Sequence, residues 1–263
     1  MKKILVTFGT KEYSLSKEML VNSVKDDQFD EIFSFSEADI KDLKQSFPRH
    51  FKKKIGYGFW LWKPYLISRV LDHIADGDII FYCDAGCLIE HSTDELFRLA
   101  EVKNILSFEI DSIQREWTKR EVFDAMLSPD EDWIKGQQMR AAAYILFKKC
   151  SQTEEFVSSW LSWCKQLELI DNKLYLQQDE DFKWHRNDQS IFSVLCCQFG
   201  LEAFRDPSQY GNRYLENYQN SGYSQIINHT RKAKLSLRQR IRKSIFPRIE
   251  RVFRKTHVIK GEK

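Results

Sequence analysis

The chain has 263 residues, 42% hydrophobic and 30% charged, which is enough for one sizeable α/β domain and ordinary for a globular protein. No stretch approaches the ~20 consecutive apolar residues of a spanning helix, and none of the six cysteines sits in a C-x-x-C pair, so zinc-like spacing is excluded. The net charge of +3 hides an asymmetry: residues 231–263 carry 13 Lys/Arg and two Glu, a local charge of +11, which leaves residues 1–230 at −8.

The opening MKKILVTFGT has too short an apolar run for a secretory leader and predicts a first strand over Lys3–Phe8. With free thiols, the expected compartment is a reducing cytoplasm. Helix is predicted over Ser16–Lys25, strand over Glu31–Phe35 and helix over Ala38–Gln45. A basic loop, Pro48–Gly58, follows. From Pro64 to Ala75 the chain has helical spacing, with Leu66, Val70, Leu71 and Ile74 on one stripe. Pro64 suits the first turn, where its missing N–H is not needed. Ile79–Cys83 (IIFYC) is a continuous apolar strand of the kind buried in mid-sheet, and it runs straight into Asp84-Ala85-Gly86.

Further along, helix is expected over Thr93–Glu101, strand over Ile105–Ile110, helix over Lys119–Met126 and strand over Ala142–Lys148. Helices over Thr153–Leu169 and Asp188–Phe199 complete the body. Strands alternating with helices imply a mostly parallel sheet with helices on both faces. Two units are expected: a domain over residues 1–230 and a basic tail over 231–263.

In open α/β sheets ligands bind beyond the carboxyl ends of strands, which singles out Asp84. A carboxylate there is where a metal-diphosphate approaches, or it merely caps a turn. His185-Arg186-Asn187-Asp188-Gln189 packs five hydrogen-bonding side chains together at the start of a helix, where an Asp commonly serves only as a cap. Aromatics reach 14%, and Trp60 and Trp62 either stack on sugar or pack the start of their helix.

The run GFWLWKPYLI, then IIFYCDAG, then WTKRE, HRNDQS and INHTR in that order resembles the A-type-fold glycosyltransferases of bacterial capsule and lipopolysaccharide synthesis. The resemblance covers roughly residues 1–231. It implies the Rossmann-like nucleotide-diphospho-sugar transferase fold, with a sugar moved from a nucleotide-diphosphate donor, a UDP-linked one being expected, to a saccharide acceptor on a lipid carrier. It further implies that Asp84 meets the donor ribose or a metal, with His229 as an extra ligand. Mn²⁺ or Mg²⁺ would be the ion, since oxygen ligands suit both. The Asp-x-Asp motif of the wider fold reads Asp84-Ala85-Gly86 here, so its second carboxylate is missing. By the same resemblance Asp188 contacts the donor sugar or takes the acceptor proton, with Gln189 beside it. Lys63, 21 residues before Asp84, and Arg120 and Arg186 are the expected phosphate partners. Thr7 and Thr10 would meet the nucleotide.

A nucleotidyltransferase of similar topology would need a Gly-rich basic phosphate loop after the first strand, and FGTKEYS is poor for one. A nucleic-acid-binding role for the basic tail sits badly with an acidic body, and no nucleic-acid partner is expected. In the tail, Leu237, Ile241, Ile245, Ile249 and Val252 recur at spacings of four, four, four and three among eight Arg and Lys. This predicts a basic amphipathic helix that docks on an anionic membrane at the inner face of the cytoplasmic membrane.

Overall fold

A computed structural model of the chain describes residues 1–25, 27–214 and 216–230; the predicted tail helix lies outside the described residues. Lys3–Phe8 forms β1, Glu31–Phe35 β2 and Ile79–Cys83 β3, each where the sequence predicts it. β2 and β3 flank β1, both parallel to it. The other strands are Cys87–Ile89 (β4), Ile105–Ile113 (β5), Gln138–Arg140 (β6), Tyr144–Lys148 (β7), Ala203–Arg205 (β8) and Ile227–His229 (β9).

The seven-stranded sheet has the order β2-β1-β3-β7-β5-β6, with β8 also on β5. β6 and β7 run against β5, while β8 runs with it, so five of the seven strands share one direction. The sheet is therefore mixed but mostly parallel, with helices on both faces. β6 and β7 form one antiparallel track along β5. The track breaks at Ala141–Ala143, where the register against β5 shifts. β4 and β9 pair separately as a two-stranded ribbon.

The period of two along each strand builds two cores. Ile4, Val6, Phe8, Ile80 and Tyr82 face one of them, together with Leu66, Val70 and Leu71 of the Trp62–His73 helix and with Phe156 and Trp160. Leu5, Ile79, Phe81 and Cys83 face the other, against Leu20, Leu96 and Phe97. The predicted helix Thr153–Leu169 is two segments, Ser151–Cys164 and Leu167–Ile170. Among the described residues no helix is long and apolar enough to cross a membrane.

Candidate active site

Asp84 follows the last residue of β3, and its amide donates to Ala143 O at 2.7 Å. Its side chain is 27% exposed at the strand end. Tyr82, two residues earlier on the same strand, donates its hydroxyl to Asp84 Oδ1. Burial, reinforced by Asp84, holds the Tyr82 phenol well above its usual range, so it stays a donor.

Lys63 approaches from the other side. Its ammonium lies 2.9 Å from Asp188 Oδ2 and 3.7 Å from Asp84 Oδ1, and donates to Ala142 O at 2.9 Å. Lys63 and Asp188 are only 3% and 5% exposed. Burial works against the Lys63 charge, but the pull of two carboxylates outweighs it and the ammonium is held above its usual range. At Asp188 burial wins over the attraction of Lys63, and the carboxyl is pushed up to about 6. Asp188 opens the helix Asp188–Gln198 after Asn187, whose φ of 50° is rare for a side chain other than glycine.

An unusual backbone delivers Lys63. Gly56, Tyr57, Gly58, Phe59 and Trp60 all have positive φ, between 48° and 93°. They make one left-handed helical turn, closed by Phe59 N–H to Ile55 O at 2.9 Å and Trp60 N–H to Gly56 O at 3.2 Å. Such a turn costs roughly 1–2 kcal/mol for each residue that carries a Cβ. Glycine at 56 and 58 removes part of that cost, and a Cβ at Gly58 would also lie 2.6 Å from the Phe51 ring. Burial of Phe59, Leu61 and Trp62, with the Trp62 indole donating to Gly56 O at 2.9 Å, offsets the rest. The chain then enters the right-handed helix with Trp62 stacked on Phe8 at 4.1 Å and Lys63 pointing inward.

Two cavities meet around this strand end. The larger, about 760 Å³, is lined by Thr10, Lys11, Tyr13, Lys54, Tyr57, Trp60 and Trp62, with Asp84, Gly86 and His229 also on its wall. The smaller, about 340 Å³, contains Ala141–Ala143, Tyr144, Arg186, Gln189, Asp206 and, again, His229. His229 ends β9. The β4–β9 ribbon pairs Cys87 with His229, and Thr230 donates to Gly86 O, which ties His229 to the turn after Asp84. Its ring packs between Tyr144 and Tyr210.

The residues singled out from sequence are thus divided. Asp84, His229 and Thr10 share the larger cavity, and Arg186 and Gln189 line the smaller one. Arg186 stacks 4.1 Å over Trp117 and donates to Ser112, while Gln189 donates to Arg140 O at 2.9 Å. Arg186 lines the smaller cavity, while Lys11 and Lys54 line the larger one. Lys63 and Asp188 line neither cavity; each is committed to the other. Asp188 is thus paired with Lys63 at 2.9 Å and lies behind the cavity walls. Thr7 is fully buried and also lines neither. Arg120 is half-exposed, paired with Asp124, and lines neither cavity. Sequence reading missed Lys11, Lys54, the Ala141–Ala143 floor and Asp206. Asp206 carries the same signal as Asp84, a carboxylate just beyond a strand end, but its strand has only three residues.

The residues fit a divalent ion in one way only. Among the described residues no group of three His, Cys, Asp or Glu side chains is placed to hold a metal. Asp84 and His229 offer two ligands on one wall. Such a pair would leave most positions of an ion to substrate phosphates and water; Asp84 has the oxygen chemistry of a Mg²⁺ or Mn²⁺ ligand, whereas the His229 imidazole does not suit Mg²⁺. The pair does not suit an ion held by the protein alone.

The sequence matches no family model and no curated protein. Solved structures do match. Mouse xyloside xylosyltransferase 1 is 12% identical with a TM-score of 0.50, over 90% of this chain and 100% of that one. GlyE of Streptococcus pneumoniae TIGR4 is 14% identical with a TM-score of 0.47, over 96% of this chain and 67% of that one. LgtC, a galactosyltransferase solved with donor and acceptor sugar analogs, is 12% identical with a TM-score of 0.45, over 87% of each chain. At such identities the first of these likenesses speaks to the fold: the chain has the A-type glycosyltransferase fold.

Proposed function

We propose that the protein transfers a sugar from a nucleotide-diphosphate donor to a saccharide acceptor. One observation carries this reading: a large cavity rich in aromatics and lysine, with Asp84 on its wall, shares His229 with a smaller polar cavity, beyond the carboxyl end of a central strand. The nucleotide belongs in the larger cavity, where Tyr13, Tyr57 and Trp60 are the less buried rings of the lining. The acceptor belongs in the smaller one. A bound divalent ion would offset the charge of the departing diphosphate. The chain's own part is to fix Asp84 through Tyr82 and Lys63, and to place Lys11 and Lys54 along the nucleotide wall. A UDP-linked donor and a lipid-linked or oligosaccharide acceptor in surface polysaccharide synthesis complete the reading. Incubation with a panel of UDP-, GDP- and TDP-sugars tests it. Release of a nucleoside diphosphate, faster with saccharide acceptors, is expected; no release from any donor overturns it.

With Asp84 and His229 as the two candidate ligands among the described residues, Mn²⁺ should bind weakly to the protein alone and tightly once UDP is present. Calorimetric titration of Mn²⁺ with and without UDP checks this, and donor turnover should vanish with chelator. Full turnover in chelator would show that the lysines compensate the charge by themselves.

The basic tail would hold the enzyme at an anionic membrane beside a lipid-linked acceptor, at roughly 1 kcal/mol for each Lys or Arg near the surface. Deleting residues 232–263 should release the protein from anionic vesicles at low salt and spare activity on a soluble acceptor. Full-length protein that ignores such vesicles would refute the idea.

A further inference from the structure

Asp206 follows β8 as Asp84 follows β3, and the two strands run in the same direction. Both carboxylates therefore stand at the same edge of the sheet, one facing each cavity. Asp206 is only 5% exposed, yet it lines the smaller cavity. Its Oδ1 is fixed: it accepts from the Tyr144 hydroxyl at 2.6 Å and from Ser208 N–H at 2.8 Å. Oδ2 has no hydrogen-bond partner among the described residues. Tyr144 also packs its ring on His229, so the carboxylate is fastened to the place where the cavities meet.

The other carboxylates of that cavity are spoken for. Glu109 has both oxygens engaged, one by Arg140 and one by the Tyr218 hydroxyl at 2.5 Å. Asp111 is more than half exposed and pairs with Arg213 at 3.2 Å. A buried carboxylate with one pinned oxygen and one open oxygen is a preorganised acceptor of hydrogen bonds, and a sugar hydroxyl is the donor that fits it. A cavity of about 340 Å³, at the small end for ligand sites, suits a single sugar ring.

We propose that Asp206 binds the acceptor saccharide, its Oδ2 receiving the hydrogen bond of a hydroxyl of the acceptor's terminal sugar. This rests on the transferase reading and assigns the acceptor side of it to a residue distinct from Asp84, Lys63 and Asp188.

Asp206→Asn keeps an oxygen for Tyr144 and Ser208 and replaces the open one by an amide. The test uses the full chain, the donor that wild type hydrolyses best, and the methyl glycoside that most stimulates nucleotide release. For the variant, kcat/KM for the glycoside should fall about 10- to 100-fold, the worth of a hydrogen bond to a charged group. Donor hydrolysis without acceptor, and UDP affinity, should stay within about twofold of wild type. Tyr144→Phe, which only loosens the carboxylate, should give a smaller loss of the same kind and serves if Asp206→Asn fails to fold. Unchanged acceptor kinetics, or donor hydrolysis falling as far as transfer, would overturn the assignment and leave the transferase reading standing. A wild-type protein that releases no nucleotide from any donor would overturn both.

Discussion

Lys63→Met should destabilise the fold by about 3–5 kcal/mol and abolish turnover. Methionine nearly fills the volume but strands two carboxylates. Asp188 is 5% exposed and would lose the ammonium beside it, while Asp84 would lose the charge at 3.7 Å. Removing one partner of a buried pair leaves the other uncompensated, and that is where the cost lies. Pushed up to about 6 even with Lys63 present, Asp188 already sits where ionisation is disfavoured. Replacing both members, as Lys63→Met with Asp188→Leu, should recover much of the lost stability, because apolar residues can replace a buried pair at little cost. Activity should stay lost, since Asp84 would still lack its neighbouring charge. Urea denaturation of wild type, both single variants and the double variant reads the coupling directly. Additive effects would show that the pair does not act as a unit.

The parts of this molecule legible in its sequence are those where one signal dominates. β1, β2 and β3 are short apolar runs with clear breaks, and all three fall where predicted. Of the predicted stripe, Leu66, Val70 and Leu71 are buried as the spacing requires, while Ile74 caps the helix end and is only partly buried. β4, β6, β8 and β9 escape because three residues are too few to show alternation. The left-handed turn escapes for another reason. GYGFW has glycine at alternate positions, which permits positive φ but does not demand it at Tyr57, Phe59 and Trp60; tertiary burial of Phe59 and Trp62 decides it.

Of the residues the sequence singles out, Asp84 and His229 line the larger cavity, and Lys63 and Asp188 pair behind it. Sequence reading cannot tell a side chain that faces a ligand from one that faces another side chain. Lys63 and Asp188 are 125 positions apart, and only their meeting in space shows that each neutralises the other. Arg120 shows the converse: a basic residue in a suggestive motif that proves to be a surface ion pair. Asp206 falls between, since the strand-end argument applies to it as well as to Asp84 once β8 is known.

Asp84 carries the central claim, and Asp84→Asn tests it with little change of shape. The side chain is 27% exposed, so the loss of its charge should leave the fold largely intact. It stands on the larger cavity's wall, where the Tyr82 hydroxyl, Ala143 O and Lys63 hold it. On the proposed reading Asp84 would hold the ion that offsets the charge of the departing diphosphate, and deleting one such preorganised interaction costs on the order of 100- to 1,000-fold in turnover. The decisive measurement is nucleoside diphosphate release from the donor panel, by wild type and by Asp84→Asn at matched thermal stability. We expect release by wild type and a fall of at least about 100-fold in the variant; a folded Asp84→Asn protein that keeps pace with wild type would contradict the account.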